Sequence, residues 1–96
     1  PQYFRVRCVS SNKVWDIQGG SHNDRAALIQ YDSHNGTNQQ FQFVPVPGAG
    51  PDVYNIVARH SGKYLDVTGA STAALAPVIQ YAGHNGKNQQ FRIVVI

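Results

Sequence analysis

The sequence predicts an all-β domain made of two copies of one four-stranded unit. Three observations predict it. The first is an internal repeat at a constant offset of 50 residues: Ile29-Gln30-Tyr31, His34-Asn35-Gly36 and Asn38-Gln39-Gln40-Phe41 return as Ile79-Gln80-Tyr81, His84-Asn85-Gly86 and Asn88-Gln89-Gln90-Phe91. The match runs back through Lys13/Lys63, Asp16/Asp66, Gly19/Gly69 and Ser21/Ser71, and forward to Val44/Val94. A repeat of this length is a supersecondary unit that buries its apolar face against copies of itself. The second observation is that apolar residues alternate with polar ones, and no segment sustains a helical period. The third is that Gly, Asn and Pro punctuate the chain at short intervals, as turns between short strands do.

Each element follows in order. Phe4, Val6 and Cys8 alternate with Arg5 and Arg7, the pattern of a half-buried first strand, and Tyr54, Ile56 and Ala58 repeat it. Cys8 stands where the second copy has Ala58, so it reads as a small buried filler. Asn12-Lys13 and Ser61-Gly62 mark turns. In the second strands Trp15 and Ile17 flank an outward Asp16, and Leu65 and Val67 flank an outward Asp66. Leu28 to Tyr31 and Val78 to Tyr81 form the third strands. Asn35-Gly36 and Asn85-Gly86 read as tight hairpin turns that need positive φ. Phe41, Phe43 and Val44, then Phe91, Ile93 and Val94, lead the fourth strands. Trp15 and Phe41 are expected in the core. Pro45 to Pro51 stops any strand and reads as an ordinary inter-repeat loop; a hinge that exchanges repeats between chains is the alternative. The expected organisation is a single domain over residues 1–96, with repeat 1 at 1–46, a linker at 47–50 and repeat 2 at 51–96.

Bulk composition narrows the class. The 96 residues are 42% hydrophobic and 14% charged, which argues against disorder. Units of about 50 residues bury too little surface to stand alone. No apolar run reaches the roughly 20 residues of a membrane span, so no membrane insertion is expected. The net charge of +3 comes from eight scattered Lys and Arg against five Asp. Nucleic-acid surfaces cluster their cations, so nucleic acid is not an expected partner. A single cysteine excludes an internal disulfide. Pro1-Gln2-Tyr3 lacks the basic and apolar signature of a secretory leader, and a start without Met is expected to be processed or trimmed. The compartment stays open between the cytoplasm and secretion without disulfides.

The succession of Trp/Leu-Asp-Ile/Val, Gly, Ile-Gln-Tyr, His-Asn-Gly and Asn-Gln-Gln-Phe resembles the ricin B-type lectin repeat. That family builds β-trefoils from four-stranded units ending in Gln-x-Trp, and Gln39-Gln40-Phe41 and Gln89-Gln90-Phe91 stand at that place. The resemblance covers nearly the whole chain. It implies a trefoil-type fold with two repeats instead of three, partial or completed in an oligomer. Phe replaces the motif Trp in both copies, and the cysteines common in secreted relatives are absent.

The resemblance further implies one shallow sugar site per repeat, with galactose or N-acetylgalactosamine as the leading ligand type. Mapped residue by residue, Asp16, Tyr31 and Asn38 form one set and Asp66, Tyr81 and Asn88 the other. His34 and His84 lie between the aromatic and the Asn, and Gln39 and Gln89 are placed to orient the carboxylates. The chemistry stands without the family. An ionised Asp accepts from converging hydroxyls. An aromatic ring packs on the C–H face of a sugar. A few polar groups around an aromatic platform orient a small ligand. Each residue also has a plainer reading: Asp16 anchoring its own loop, Tyr31 packing across strands, Asn38 capping a hairpin, and His34 occupying a turn. His22-Asn23-Asp24-Arg25 replaces Thr72-Ala73-Ala74-Leu75 and either adds polar contacts in repeat 1 or clothes its surface.

Catalysis is not expected. Duplicated sites without Glu, a nucleophile motif or a His/Cys cluster make no case for an enzyme, and neither a metal nor another cofactor is implied. A protein-interaction or protease-inhibiting surface is the alternative function. Such a surface works through variable loops and gives no reason for the same Asp, Tyr, His and Asn in both copies. Two repeats leave edges unpaired, so a homo-oligomer, dimer or trimer, or a missing third repeat is expected, acting multivalently on glycans.

Overall fold

The computed structural model describes residues 1–96 and contains only strands and short 3₁₀ turns. Repeat 1 carries β1 (Val14–Ile17), β2 (Leu28–Tyr31) and β3 (Phe41–Pro45). Repeat 2 carries β4 (Val53–Ala58), β5 (Tyr64–Val67), β6 (Val78–Tyr81) and β7 (Phe91–Arg92). A 3₁₀ turn follows β1 and β5, and another precedes β3 and β7. β1 pairs antiparallel with β2, Val14 opposite Tyr31, and β5 pairs with β6 in the same register, Tyr64 opposite Tyr81.

The two repeats join through β3 and β4, antiparallel from Phe41↔Ala58 to Pro45↔Tyr54. The segment between them is a closed connection: the Val46 N–H donates to Val53 O at 2.9 Å, and the Ala49 N–H to Val46 O at 3.3 Å. Within this chain the segment links β3 and β4 as a short turn. Ile17, Phe41, Ile56, Ala58 and Leu65 form the buried cluster, drawn from both repeats. Trp15 is only half-buried and meets Phe41 edge-on, with ring centroids 5.9 Å apart.

Three sequence expectations need correction. Cys8 is exposed rather than a core filler. Ala58 is covered because β3 lies beside it, whereas no strand precedes the segment carrying Cys8. Donation from the Ser10 hydroxyl, then from the Ser11 backbone, pulls the Cys8 thiol from 9.0 down to about 7. For the same reason the first strand of repeat 1 is reduced to bridges at Phe4↔Phe41 and Arg7↔Val14, while its counterpart β4 is six residues long. Second, Asp16 and Asp66 do not face outward but are 3% and 4% exposed. The face of β1 that carries Val14 and Asp16 is covered by the loop leading into β3, so alternation there separates two buried faces. Third, Asn35-Gly36 is not a positive-φ hairpin turn. Gly36 has φ −68 and Gly86 φ −69, and each caps a 3₁₀ turn. Glycine is required for space: a Cβ on Gly36 would lie 2.5 Å from His34 Cε1 and 2.6 Å from Asn38 Oδ1.

The edges of the molecule are unequal. β3 runs five residues because β4 lies beside it; its counterpart β7 stops after two. Phe4, Ile93, Val94, Val95 and Ile96 are exposed along this open side. Gln80 is fully buried between the repeats, where its Nε2 donates to Ser21 O and Asn23 O, both at 2.8 Å. Its counterpart Gln30 is exposed and has no such loop over it.

Candidate functional site

Each repeat assembles the same constellation. Gln39 sits fully buried on the 3₁₀ turn before β3. Its Nε2 donates to Asp16 Oδ2 and to Asp32 O, both at 2.8 Å, and its Oε1 accepts the His34 N–H at 2.9 Å. One amide thus fixes the carboxylate and the start of the His loop together. In repeat 2 Gln89 donates to Asp66 Oδ2 at 2.8 Å and to Ala82 O at 3.0 Å, and accepts the His84 N–H at 2.9 Å.

The histidine is oriented by the glycine two residues on. The Gly36 N–H donates to His34 Nδ1 at 2.8 Å, which makes Nδ1 the acceptor and leaves the ring proton on Nε2. Nε2 lies 3.7 Å from Asp16 Oδ2. That is too long for a hydrogen bond. The gap is one a hydroxyl can bridge, accepting from Nε2–H and donating to the carboxylate. His84 repeats the arrangement, with 2.8 Å to the Gly86 N–H and 3.6 Å to Asp66 Oδ2.

Asn38 Nδ2 donates to Ile17 O at 3.0 Å, and Asn88 Nδ2 to Val67 O at 3.2 Å. Each Asn therefore ties the 3₁₀ turn to the end of the second strand and keeps Oδ1 as an acceptor. Tyr31 stands 6.4 Å from the His34 ring and is 54% exposed; Tyr81 stands 6.3 Å from His84 and is half-buried. The structure brings Asp16, Tyr31, His34 and Asn38 to one open cleft, with Gln39 behind the carboxylate. It brings Asp66, Tyr81, His84 and Asn88 to another, with Gln89 behind.

Sequence reasoning missed two contributions. The backbone turn after β1, including Gly19 and Gly20, walls the first cleft, and Thr68 to Ala70 wall the second. Arg25 lines the second cleft although it belongs to repeat 1. The loop carrying it was expected to act within its own repeat, and no local signal reveals that it crosses.

The site geometry and the fold meet in one class, the ricin-type lectin trefoil. The family described as ricin-type beta-trefoil lectin domain-like matches residues 1–50 and 37–96, and the chain belongs to it. Carbohydrate binding is the general property of that class. The chain is similar to the designed 3-fold symmetric protein ThreeFoil, at 44% identity and TM-score 0.90, over 98% of this chain and 65% of that one. It is similar to 1,3Gal43A, an exo-beta-1,3-galactanase from Clostridium thermocellum, at 32% identity and TM-score 0.91, over 100% of this chain and 20% of that one. The fold also matches the Polyporus squamosus lectin, at 20% identity and TM-score 0.78, over 94% of this chain and 30% of that one. The chain therefore spans less than two thirds of each of these structures. Among curated proteins none matches.

Proposed function

We propose that this chain is a non-catalytic lectin with one galactose-type site per repeat, each binding through Asp16, Tyr31, His34 and Asn38 or through Asp66, Tyr81, His84 and Asn88. The observation that carries the reading is the doubled gap between His Nε2 and a buried Asp oxygen, 3.7 and 3.6 Å, beside an aromatic ring. A sugar hydroxyl fits that gap as both acceptor and donor, and Tyr offers a face to the sugar's C–H groups. N-acetylgalactosamine belongs to the same ligand type. The similarity to a galactan-acting enzyme supports galactose among the hexoses. Catalysis has no support in the site, since each cleft holds a single carboxylate and that carboxylate is committed to a Gln amide.

Asp16→Asn and Asp66→Asn test the reading, because Asn keeps an oxygen for the Gln amide but loses the charge. Titration with galactose should show two weak sites in the parent and one in each variant. The double variant should bind about 10- to 150-fold more weakly, as losing charge-assisted hydrogen bonds worth roughly 1.5–3 kcal/mol implies. Undiminished galactose binding by the folded double variant would sink the assignment.

Function is multivalent in this reading, and a third repeat from another copy closes the open side. The exposed Phe4, Ile93 and Val94, the shortened β7 and the uncovered Gln30 support it. Three chains carry six repeats, enough for two closed trefoils; a dimer closes the face by symmetry. Joining sites raises apparent affinity by about 10²–10⁴ where the geometry allows. Light scattering at micromolar concentration should give a multiple of 10.5 kDa. A well-folded, strictly monomeric species would refute this part.

A further inference from the structure

The loop of residues 21–27 belongs to repeat 1 by sequence and to repeat 2 by contact. Gln80 holds it with the two carbonyl contacts already described. The Arg25 N–H donates to Gln80 O at 2.8 Å, and the Gln80 N–H to Ala26 O at 2.9 Å. Asp24 Oδ1 accepts the Ala82 N–H at 3.0 Å and pairs with Lys63 Nζ at 3.0 Å. The hydrogen bond from the Lys63 ammonium, above all, holds the Asp24 carboxyl below its ordinary range.

This docking delivers the Arg25 guanidinium to the second cleft, 5.6 Å from the centroid of the Tyr81 ring. Contact with an aromatic face orients a guanidinium without consuming its N–H donors. Arg25 makes no side-chain hydrogen bond and no ion pair within the protein, because its neighbour Asp24 is engaged by Lys63 and Ala82. The first cleft has no cation in its wall, and Tyr31 is open there where Tyr81 is partly covered. Leu75, the counterpart of Arg25, has the same left-handed backbone, φ 72 against 74, and is fully exposed. The backbone is therefore a property of the loop, and the cation is a property of one residue.

We propose that Arg25 makes the second site selective for an anionic sugar, one bearing a carboxylate or sulfate, while the first site takes the neutral sugar. The inference rests on the sugar-binding reading of these clefts. The sugar's hydroxyls meet His84 and Asp66, and its anionic substituent lies against the planar fork of Arg25. That fork matches two oxygens of one anion, and charge-assisted bonds are about twice as strong as neutral ones. Asp66 does not cancel the attraction from within, since it is buried, bonded to Gln89 and faces His84 rather than pairing with Arg25.

The test follows the His34 and His84 ring signals separately by NMR while galactose, galacturonate or galactose 6-sulfate is added. At least one of the two anions should bind the His84 site about tenfold more tightly than galactose, and less so in high salt. Arg25→Gln should remove that preference while galactose still binds at His34, which also reports that the variant is folded. The stronger of the two anions identifies carboxylate or sulfate. Equal affinities for galactose and both anions at His84, or a preference that survives Arg25→Gln, would overturn the proposal while leaving the lectin reading intact. Silence of both signals with all three saccharides would overturn both.

Discussion

Replacing Gln39 with leucine should lower the melting temperature by about 12–24 °C, and the double change at Gln39 and Gln89 should leave the chain unfolded. Gln39 is fully buried, as is Gln89. Each amide makes three hydrogen bonds, and one of them goes to a carboxylate that is itself almost wholly withdrawn from water. Leucine fills the same space, so the change leaves no large cavity. What it removes is the partner of a buried charge, together with the partners of the Asp32 carbonyl and the His34 N–H. Bonds to charged groups contribute roughly 1.5–3 kcal/mol, so a single change should cost about 3 kcal/mol. In a domain of this size each 1 kcal/mol shifts the midpoint by roughly 4–8 °C. Two such losses, about 6 kcal/mol, are comparable with the whole stability of a small domain, roughly 5–15 kcal/mol. Thermal denaturation followed by circular dichroism measures it. A Gln39→Leu midpoint within 3 °C of the parent would mean that the carboxylate needs no amide, and would remove Gln39 from the site's support.

The role of Gln39 also shows what was legible before the structure. The spacing of Asp16, Tyr31, His34 and Asn38 recurs at Asp66, Tyr81, His84 and Asn88, and a recurrence at fixed offset reads directly as a shared geometry. The strands read nearly as well, since β2 and β6 occupy the expected residues. Burial was legible only where alternation separates core from solvent. It fails at Asp16 because the loop carrying Gln39 covers what would otherwise be the outer face of β1. It fails at Cys8 because burial there depends on a neighbouring strand that lies beside Ala58 and not beside Cys8. Arg25 was illegible for a third reason: its ring partner Tyr81 is 56 residues away, and only the packing of one repeat on the next brings them together. Periodicity within a repeat reports the repeat's own fold and says nothing of what its loops touch.

Changing Gly36 and Gly86 together to alanine should abolish galactose binding and leave the protein folded. Neither glycine is needed for its backbone angles, since φ near −70 is open to any residue. Both are needed because the His ring and the Asn amide close over them. A Cβ on Gly36 would meet His34 Nδ1 at 2.7 Å as well as its Cε1 and Asn38 Oδ1, and a Cβ on Gly86 meets the same atoms of His84 and Asn88. The imidazole must then swing off the Gly N–H that fixes its tautomer, and Nε2 leaves its place opposite the carboxylate. Asn38 is tied to Ile17 O, so it cannot yield without releasing the end of β1. Crowding of this kind costs roughly 1–3 kcal/mol of stability. Losing two ligand hydrogen bonds of roughly 1–1.5 kcal/mol each weakens each site by about 30- to 150-fold. Gly48 supplies the contrast: its φ is +75 and a Cβ there meets nothing within 4 Å. Gly48→Ala should cost about 1–2 kcal/mol through the backbone alone and leave galactose affinity unchanged. Calorimetric titration of the two variants beside their melting curves separates the effects. Parent-like binding by the folded Gly36→Ala, Gly86→Ala variant would show that the sugar does not depend on where His34, Asn38 and their counterparts are held.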